Sequence, residues 1–254
     1  MYGPGSTQQE LFDGEIAPTL KHLFAGHDIT LFAYGVTGTG KTHTMRGGKS
    51  LADRGVIPRL LSGIYRRSRK IEKESQGGES SNKVEVAMSY YEIYNDRVYD
   101  LFEDIEKRGP SGLALRDNCG KTVVVGLTER PCESLKEFER LYDGANVNRS
   151  TSATKLNASS SRSHAVLCVR LVVTRGDAVR VSTASAIDLA GSEDNRRTEN
   201  VSWGVTLIGG QADVSRIGNV LLNRQLLIRV CLYWLNVWRQ YQRNSPGYRT
   251  ESLR

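Results

Sequence analysis

The segment Gly35–Thr42 has the residue types and spacing of a phosphate-binding loop. It reads Gly-Val-Thr-Gly-Thr-Gly-Lys-Thr and fits the pattern G-x-x-x-x-G-K-[ST] without a mismatch. Its glycines allow backbone N–H groups to converge on phosphate oxygens, and a helix starting at its end adds positive potential. The alternative is a glycine-rich turn that carries an exposed lysine, and the strand and helix patterns on either side disfavour it. The sequence therefore predicts a nucleotide site built from Gly35, Val36, Thr37, Gly38, Thr39, Gly40, Lys41 and Thr42.

Two of these side chains have defined tasks in phosphate chemistry. The Lys41 ammonium would reach the β- and γ-phosphates, and the Thr42 hydroxyl would bind Mg²⁺. A phosphate cradle alone hydrolyses nothing, so further groups must sense the γ-phosphate and position water.

Two polar segments later in the chain could supply those groups. Residues Asn157–His164 concentrate hydroxyls and one guanidinium just before a strand pattern, and Asp188–Glu193 follows an apolar lead-in. Asp188 at a strand end suits a water-mediated contact to Mg²⁺. Each segment alone has a plainer interpretation, a solvated loop or a helix cap. Their order and their combination with the phosphate loop favour a site of nucleotide hydrolysis.

Alternating strand and helix patterns predict the elements that hold these segments. The apolar run Ile29–Tyr34 is typical of a buried strand, and a helix is expected from Lys41. Strand periodicity recurs at Lys83–Tyr91 and His164–Thr174, and Leu135–Val147 has a helical pattern. This order predicts an α/β fold with a central, mostly parallel sheet and helices on both faces.

The first helix carries its own start and break signals. Thr7 and Glu10 stand at capping-box spacing, and Pro18 is expected to kink or split the helix because it lacks a backbone N–H.

Composition places the chain among ordinary globular proteins. It has 254 residues, 39% of them hydrophobic, and a net charge of +7 from 35 basic and 28 acidic residues. These values exclude disordered and collagen-like classes, and no apolar run reaches membrane-spanning length. The basic excess suits an acidic partner without identifying one, and no nucleic-acid-binding motif is present. No signal peptide is recognised at the start, so an intracellular protein is expected.

Three motifs together identify the chain as similar to the motor domain of kinesins. Tyr34–Met45, Ser160–His164 and Asp188–Glu193 closely resemble that family's nucleotide loop and its two switch segments, and the resemblance covers about Ser6 to Thr198. Asp188–Arg197 is most similar to the chromokinesin branch. The resemblance implies the kinesin version of the P-loop NTPase fold, here incomplete.

The resemblance also implies roles for individual residues. Ser161 would approach Mg²⁺ together with Thr42 and Asp188, and Ser160 would help to hold the attacking water. Gly191 would offer its N–H to the γ-phosphate, while Arg162 and Glu193 would form the ion pair that closes the two switches around ATP. His164 is expected to be mainly structural.

The implied function is that of a kinesin-like microtubule motor, which couples ATP hydrolysis to microtubule-based movement. Its cofactors would be ATP and Mg²⁺. Its partners would be microtubules and, through a tail absent here, chromatin, with no membrane partner. The expected location is the cytoplasm and the microtubule cytoskeleton, including the spindle, and the nucleus. The alternative is a truncated or inactive chain that binds nucleotide weakly or not at all and does not move.

The two ends of the chain depart from the family pattern. Residues 1–198 are expected to form a partial motor domain that lacks the family's first strand, and residues 199–254 a non-family tail. From Leu222 the overlapping codons can encode the kinesin-like run E-S-x-A-I-N-K-S-L in a shifted frame. The tail is therefore predicted to be out-of-frame translation or disordered.

Overall fold

The structure is a computed structural model that describes residues 2, 5–35, 37–74, 82–118, 121–155, 163–191 and 204–208, with only the backbone described at 121, 151–155 and 204–208. The chain divides into two compact units, Met1–Gly112 with Leu127–Ala212 and Leu113–Gly126 with Asp213–Arg254. The predicted boundary after residue 198 lies outside the described residues and stays a prediction. The interpretation of residues 199–254 as an out-of-frame or disordered tail also stays a prediction, and of these residues the structure describes 204–208.

The start of the chain forms a helix that is split as the sequence predicts. Helix α1 (Gln8–Leu11) is capped by Thr7, whose side chain accepts the Glu10 N–H while the Glu10 carboxylate accepts the Thr7 N–H. A π-helical turn (Phe12–Ile16) and a 3₁₀ turn (Ala17–Thr19) containing Pro18 then lead into α2 (Leu20–Phe24). Proline cannot donate the helical hydrogen bond, so the break falls beside it.

The rest of the described chain contains three α-helices and nine strands. The helices are α3 (Lys41–Met45), α4 (Val56–Glu74) and α5 (Leu135–Lys155), with a 3₁₀ turn at Ile105–Lys107. The strands are β1 (Ile29–Tyr34), β2 (Asn82–Tyr94), β3 (Arg97–Asp100), β4 (Leu115–Asn118), β5 (Lys121–Val124), β6 (Arg130–Pro131), β7 (His164–Arg175), β8 (Ala178–Asp188) and β9 (Gly204–Ile208). Strands β4 and β5 form an antiparallel hairpin in the second unit.

The seven-stranded sheet of the first unit is mixed, so the expectation of a mostly parallel sheet is wrong. Its order is β3-β2-β7-β8-β1-β9, with β6 paired to β2. Among the described strands only β1 and β8 pair in parallel. Short turns explain the difference: Gly176–Asp177 joins β7 to β8, and Asn95 and Asp96, both with positive φ, join β2 to β3. Two-residue turns connect only antiparallel neighbours, whereas parallel strands need a crossover.

The hydrophobic core covers one face of this sheet. Alternate residues of β1, β2, β7 and β8 point into it, including Leu31 of β1, Met88 of β2 and Leu167 of β7, and the described helices contribute to the same cluster. Alternation follows from the two-residue period of a strand. Residues of the opposite face, such as Tyr91 and Val166, are buried as well, and the expectation of helices on both faces stays a prediction. None of the helices that the structure describes is long and apolar enough to span a membrane.

Contacts from α1 and α4 fix the short helix α3 and the loop that follows it. The Gln8 amide donates to the backbone oxygen of His43 at 2.8 Å. Arg59 of α4 donates to the backbone oxygens of Leu51 and Ala52, and also to the Gln9 side chain. The segment after the phosphate loop is thus held from two sides.

Truncating a central core leucine should strongly destabilise the fold. Leu167 is 0% exposed at the centre of β7, so Leu167→Ala removes buried methyl groups and leaves a cavity. The expected loss in the free energy of unfolding is about 2–5 kcal/mol, measured by denaturant titration. Leu51→Ala is the matched control, because Leu51 is 73% exposed and its truncation should cost no more than about 0.5 kcal/mol. Equal losses would contradict the assignment of Leu167 to the core.

Candidate nucleotide-binding site

The site is assembled where the parallel strands β1 and β8 end. Their register places Ala33 opposite Asp188, and the Leu189 N–H donates to the Ala33 carbonyl at 3.3 Å. The phosphate loop follows β1, and the second switch segment follows β8. Parallel strands present their carboxyl ends at one sheet edge, where ligands of α/β proteins bind. The pairing therefore brings together two segments that are far apart in the sequence.

The backbone of the phosphate loop favours glycine at three positions. Gly35, Gly38 and Gly40 have φ of +149°, +87° and +85°, a region that other residues rarely adopt. A Cβ built at Gly38 meets nothing within 4 Å, so open space adjoins the loop. Gly40 immediately precedes α3 and accepts the Thr44 N–H at 2.7 Å. The Lys41 ammonium folds back and donates to the Gly35 carbonyl at 2.9 Å, which keeps it at the loop.

Thr42 and Asp188, predicted as Mg²⁺ ligands from distant motifs, are in direct contact. The Thr42 hydroxyl donates to Oδ2 of Asp188 at 2.7 Å. Oδ1 of the same carboxylate is buried and has no hydrogen-bond partner among the described residues. A buried unpaired carboxylate oxygen is costly, and a metal-bound water is a donor that would satisfy it. The side chains present therefore fit a Mg²⁺ held by Thr42 and phosphates, with Asp188 in its outer shell.

A buried charge network lies behind this contact. Arg149 of α5 donates from Nε to Glu92 of β2 at 3.2 Å and from one terminal nitrogen to Asp188 at 3.5 Å. The Ser163 hydroxyl donates to the same Glu92 oxygen at 2.6 Å and accepts from Arg149 at 3.4 Å. All four residues are buried. One guanidinium thus faces two carboxylates where solvent screening is weak.

The surroundings keep this arginine charged. Burial alone would lower the pKa of Arg149, but Tyr90, Asp188 and Glu92 raise it, and the net result is a pKa above the ordinary arginine value. Arg149 therefore competes with Thr42, and with any cation-bound water, for the Asp188 carboxylate.

Sequence reasoning missed Glu92, Arg149 and Ser163 as part of the site. Glu92 carried a signal, since it stands between Tyr91 and Ile93 in the mostly apolar second half of β2, and acidic residues are seldom buried without a partner. The helical pattern was expected to end at Val147, whereas α5 continues to Lys155 and so carries Arg149. The side chain that joins the two carboxylates is therefore on a part of α5 that the pattern did not indicate.

The second switch segment is fixed by a histidine. The Ala190 N–H donates to Nδ1 of His164 at 3.0 Å, and the neighbouring Gly191 is buried. The remaining predicted site residues lie outside the described residues, and their roles stay predictions: Val36, Ser160, Ser161, Arg162 and Glu193.

A cavity of about 190 Å³ adjoins Thr42 and Asp188 on the core side. Its walls include Met45, Tyr90 and Tyr142, and the two tyrosine rings lie 5.3 Å apart. Burial raises the pKa of both phenols, so both stay neutral and the two rings add no negative charge beside Asp188.

Comparison with known proteins gives a consistent result. The chain matches the family described as "Kinesin motor domain" over residues 1–207. It is 44% identical over 206 residues to Kinesin-like protein KIF22 of Mus musculus and 42% identical over 203 residues to Kinesin-like protein KIF22 of Danio rerio. The aligned part is 78% of this chain in both cases, and 29% and 30% of those proteins, so the chain spans less than a third of their length.

A solved structure with a similar fold is that of a fast kinesin. The superposition has a TM-score of 0.66 at 30% sequence identity, and it covers 77% of this chain and 53% of the other. The structure of that kinesin has been interpreted in terms of its ATPase mechanism and its interactions with microtubules. The fold class predicted from sequence is confirmed, with the correction to strand direction given above.

Removing the central arginine should destabilise the protein through its two carboxylates. Arg149→Leu leaves Glu92 and Asp188 buried without a cation, and breaking a buried pair in this way costs about 3–5 kcal/mol. The free energy of unfolding at neutral pH measures the loss. Arg170→Leu is the control, because Arg170 pairs with Glu129 at 2.6 Å with both side chains 43% exposed and should contribute no more than about 1 kcal/mol. A loss at Arg149 as small as the control's would contradict the network.

Proposed function

The chain belongs to the kinesin motor-domain family, and we propose that it is the nucleotide-binding part of a microtubule motor that couples ATP hydrolysis to movement. One observation carries the proposal: the phosphate loop and Asp188 meet at one sheet edge, with Thr42 bonded to Asp188. A glycine-rich loop, a Lys, a Thr and a strand-end Asp are the parts that ATP and GTP hydrolases share.

The residues of the loop would bind and orient the triphosphate. Its backbone N–H groups cradle phosphate oxygens, and Lys41 leaves the Gly35 carbonyl for the β- and γ-phosphates. Thr42 and Asp188 hold the metal position, with Ser161 as the third contributor. Mg²⁺, when bound, neutralises charge that builds up on the phosphate oxygens.

The two switch segments would sense the γ-phosphate. Gly191 donates its N–H to that phosphate, and Ser160 orients the attacking water. Arg162 and Glu193 pair when both segments close, and that closure excludes bulk water. Hydrolysis breaks the Arg162–Glu193 pair again. Nucleotide hydrolases change their contacts with partner proteins through such order–disorder steps of their switch segments.

The partner of this cycle would be the microtubule, and the similarity to the chromokinesin branch adds chromatin as cargo of a longer protein. Such a motor works in the cytoplasm, on the microtubule cytoskeleton and the spindle, and in the nucleus. The test is phosphate release by the 254-residue chain with and without microtubules. Stimulation by microtubules supports the proposal, and bound ATP that is never hydrolysed contradicts it.

Replacing the loop lysine should weaken triphosphate binding. Lys41→Ala removes charge-assisted hydrogen bonds to phosphate, each worth about 1.5–3 kcal/mol, so affinity for ATP should fall roughly 10- to 100-fold. Titration with a fluorescent ATP analogue measures it. Lys49→Ala is the control, since Lys49 is exposed nearby and outside the phosphate loop. If both variants bind ATP as the parent chain does, Lys41 is not a phosphate ligand.

Neutralising the strand-end carboxylate should raise the magnesium requirement. Asp188→Asn keeps the shape and an acceptor for Thr42 but removes the charge that holds metal-bound water, so the Mg²⁺ concentration for half-maximal activity should rise about 10- to 100-fold. A magnesium titration of ATP hydrolysis measures the shift. Asp177→Asn, in the exposed turn after β7, should leave the titration unchanged. An unshifted titration in Asp188→Asn would exclude Asp188 from the metal site.

A further inference from the structure

His164 is the last residue of the first switch segment, and it contacts the second. It is the first residue of β7, directly after Ser163, and its Nδ1 accepts the Ala190 N–H at 3.0 Å. A backbone N–H can only donate, so Nδ1 carries no proton and the ring proton is on Nε2. The tautomer is thereby defined by the contact.

The contact fixes the peptide just before the residue that would sense the γ-phosphate. Leu189 is held by its N–H bond to the Ala33 carbonyl, and Ala190 by its bond to His164. These successive anchors determine the direction in which the chain enters Gly191, and hence where the Gly191 N–H points. Without the second anchor, the Ala190 peptide would lose the hydrogen bond that orients it just before the glycine.

We propose that His164 is a positioning residue for γ-phosphate recognition, because it orients the Gly191 amide through the Ala190 backbone. The inference rests on the proposed function, since it requires that the site binds ATP. It assigns His164 a task beyond packing: the imidazole transmits the position of the first switch segment to the second through one hydrogen bond.

The chemistry limits which substitutions preserve this task. Asparagine places its Oδ1 where histidine has Nδ1, two bonds from Cβ, so His164→Asn keeps an acceptor for the Ala190 N–H. His164→Leu has comparable size and branching but accepts no hydrogen bond. The two variants therefore separate the acceptor from the bulk of the side chain.

The test compares the affinities of each full chain for ADP and for the β,γ-imido analogue of ATP. ADP lacks the γ-phosphate, so its dissociation constant in both variants should stay within about twofold of the value for the parent chain. Unchanged ADP binding also shows that both variants fold. In His164→Leu the affinity for the ATP analogue should fall about tenfold, the effect of one lost charge-assisted hydrogen bond, and kcat about 100-fold. His164→Asn should recover most of both.

Several results would overturn the inference. The first is an equal loss of ADP and analogue binding in His164→Leu, which indicates a general structural role, and the second is an Asn variant as impaired as the Leu variant. The third needs no nucleotide: among the four histidines, ¹⁵N spectra showing a protonated Nδ1 at His164 would contradict the contact. A parent chain that binds neither nucleotide would overturn the proposed function and this inference together. If the parent chain and His164→Leu prefer the ATP analogue over ADP by the same factor, the inference alone is overturned.

Discussion

The parallel pairing of β1 with β8 is the constraint on which the candidate site depends. It sets Ala33 against Asp188, and from that register follow the position of the phosphate loop, the Thr42–Asp188 contact and the start of the second switch segment. No local interaction could achieve this, because the paired residues are about 155 positions apart. A slip by one residue would turn Asp188 toward the opposite face of the sheet. The apolar residues of β1 and β8 that share the core face hold the register in place.

The buried charges beside this pairing join elements that the backbone alone does not connect. Arg149 belongs to α5, Glu92 to β2 and Asp188 to β8, and Ser163 immediately precedes β7. Such networks are weak sources of net stability, because removing charges from water is costly. Their directional bonds do define one arrangement of the four segments, and Asp188 is shared between this network and Thr42. The Asp188 carboxylate, which would lie in the outer shell of the metal, thus accepts hydrogen bonds from a charged donor, Arg149, and from an uncharged donor, Thr42.

Local motifs were predictable from the sequence because their chemistry lies in consecutive residues. The phosphate loop, the capping box at Thr7 and the break at Pro18 follow from propensities and donor counts within a few positions. Strand direction was not predictable from the sequence. Alternating strand and helix patterns do not distinguish a crossover connection, which joins parallel strands, from a return through a turn such as Asn95–Asp96. The contact of Glu92 with Arg149 could not be found either, since 57 residues separate them and the expected helix ended before Arg149. The position of Asp188 at a strand end pointed to a metal-site role, and only the tertiary structure reveals its second partner, Arg149.

Strands β7 and β8 form one long hairpin that places both switch segments at the same end. Ala165 pairs with Asp188 across a turn at Gly176–Asp177, so contacts between neighbouring stretches of chain suffice to bring His164 and Ala190 together. The phosphate loop, in contrast, is separated from Asp188 by 146 positions between Thr42 and that carboxylate. Because closing long loops slows folding more than closing short ones, the hairpin is expected to assemble early, with its two switch segments already side by side. The pairing of β1 with β8, which closes a loop of about 155 residues, is then expected to bring in the phosphate loop later on the folding pathway.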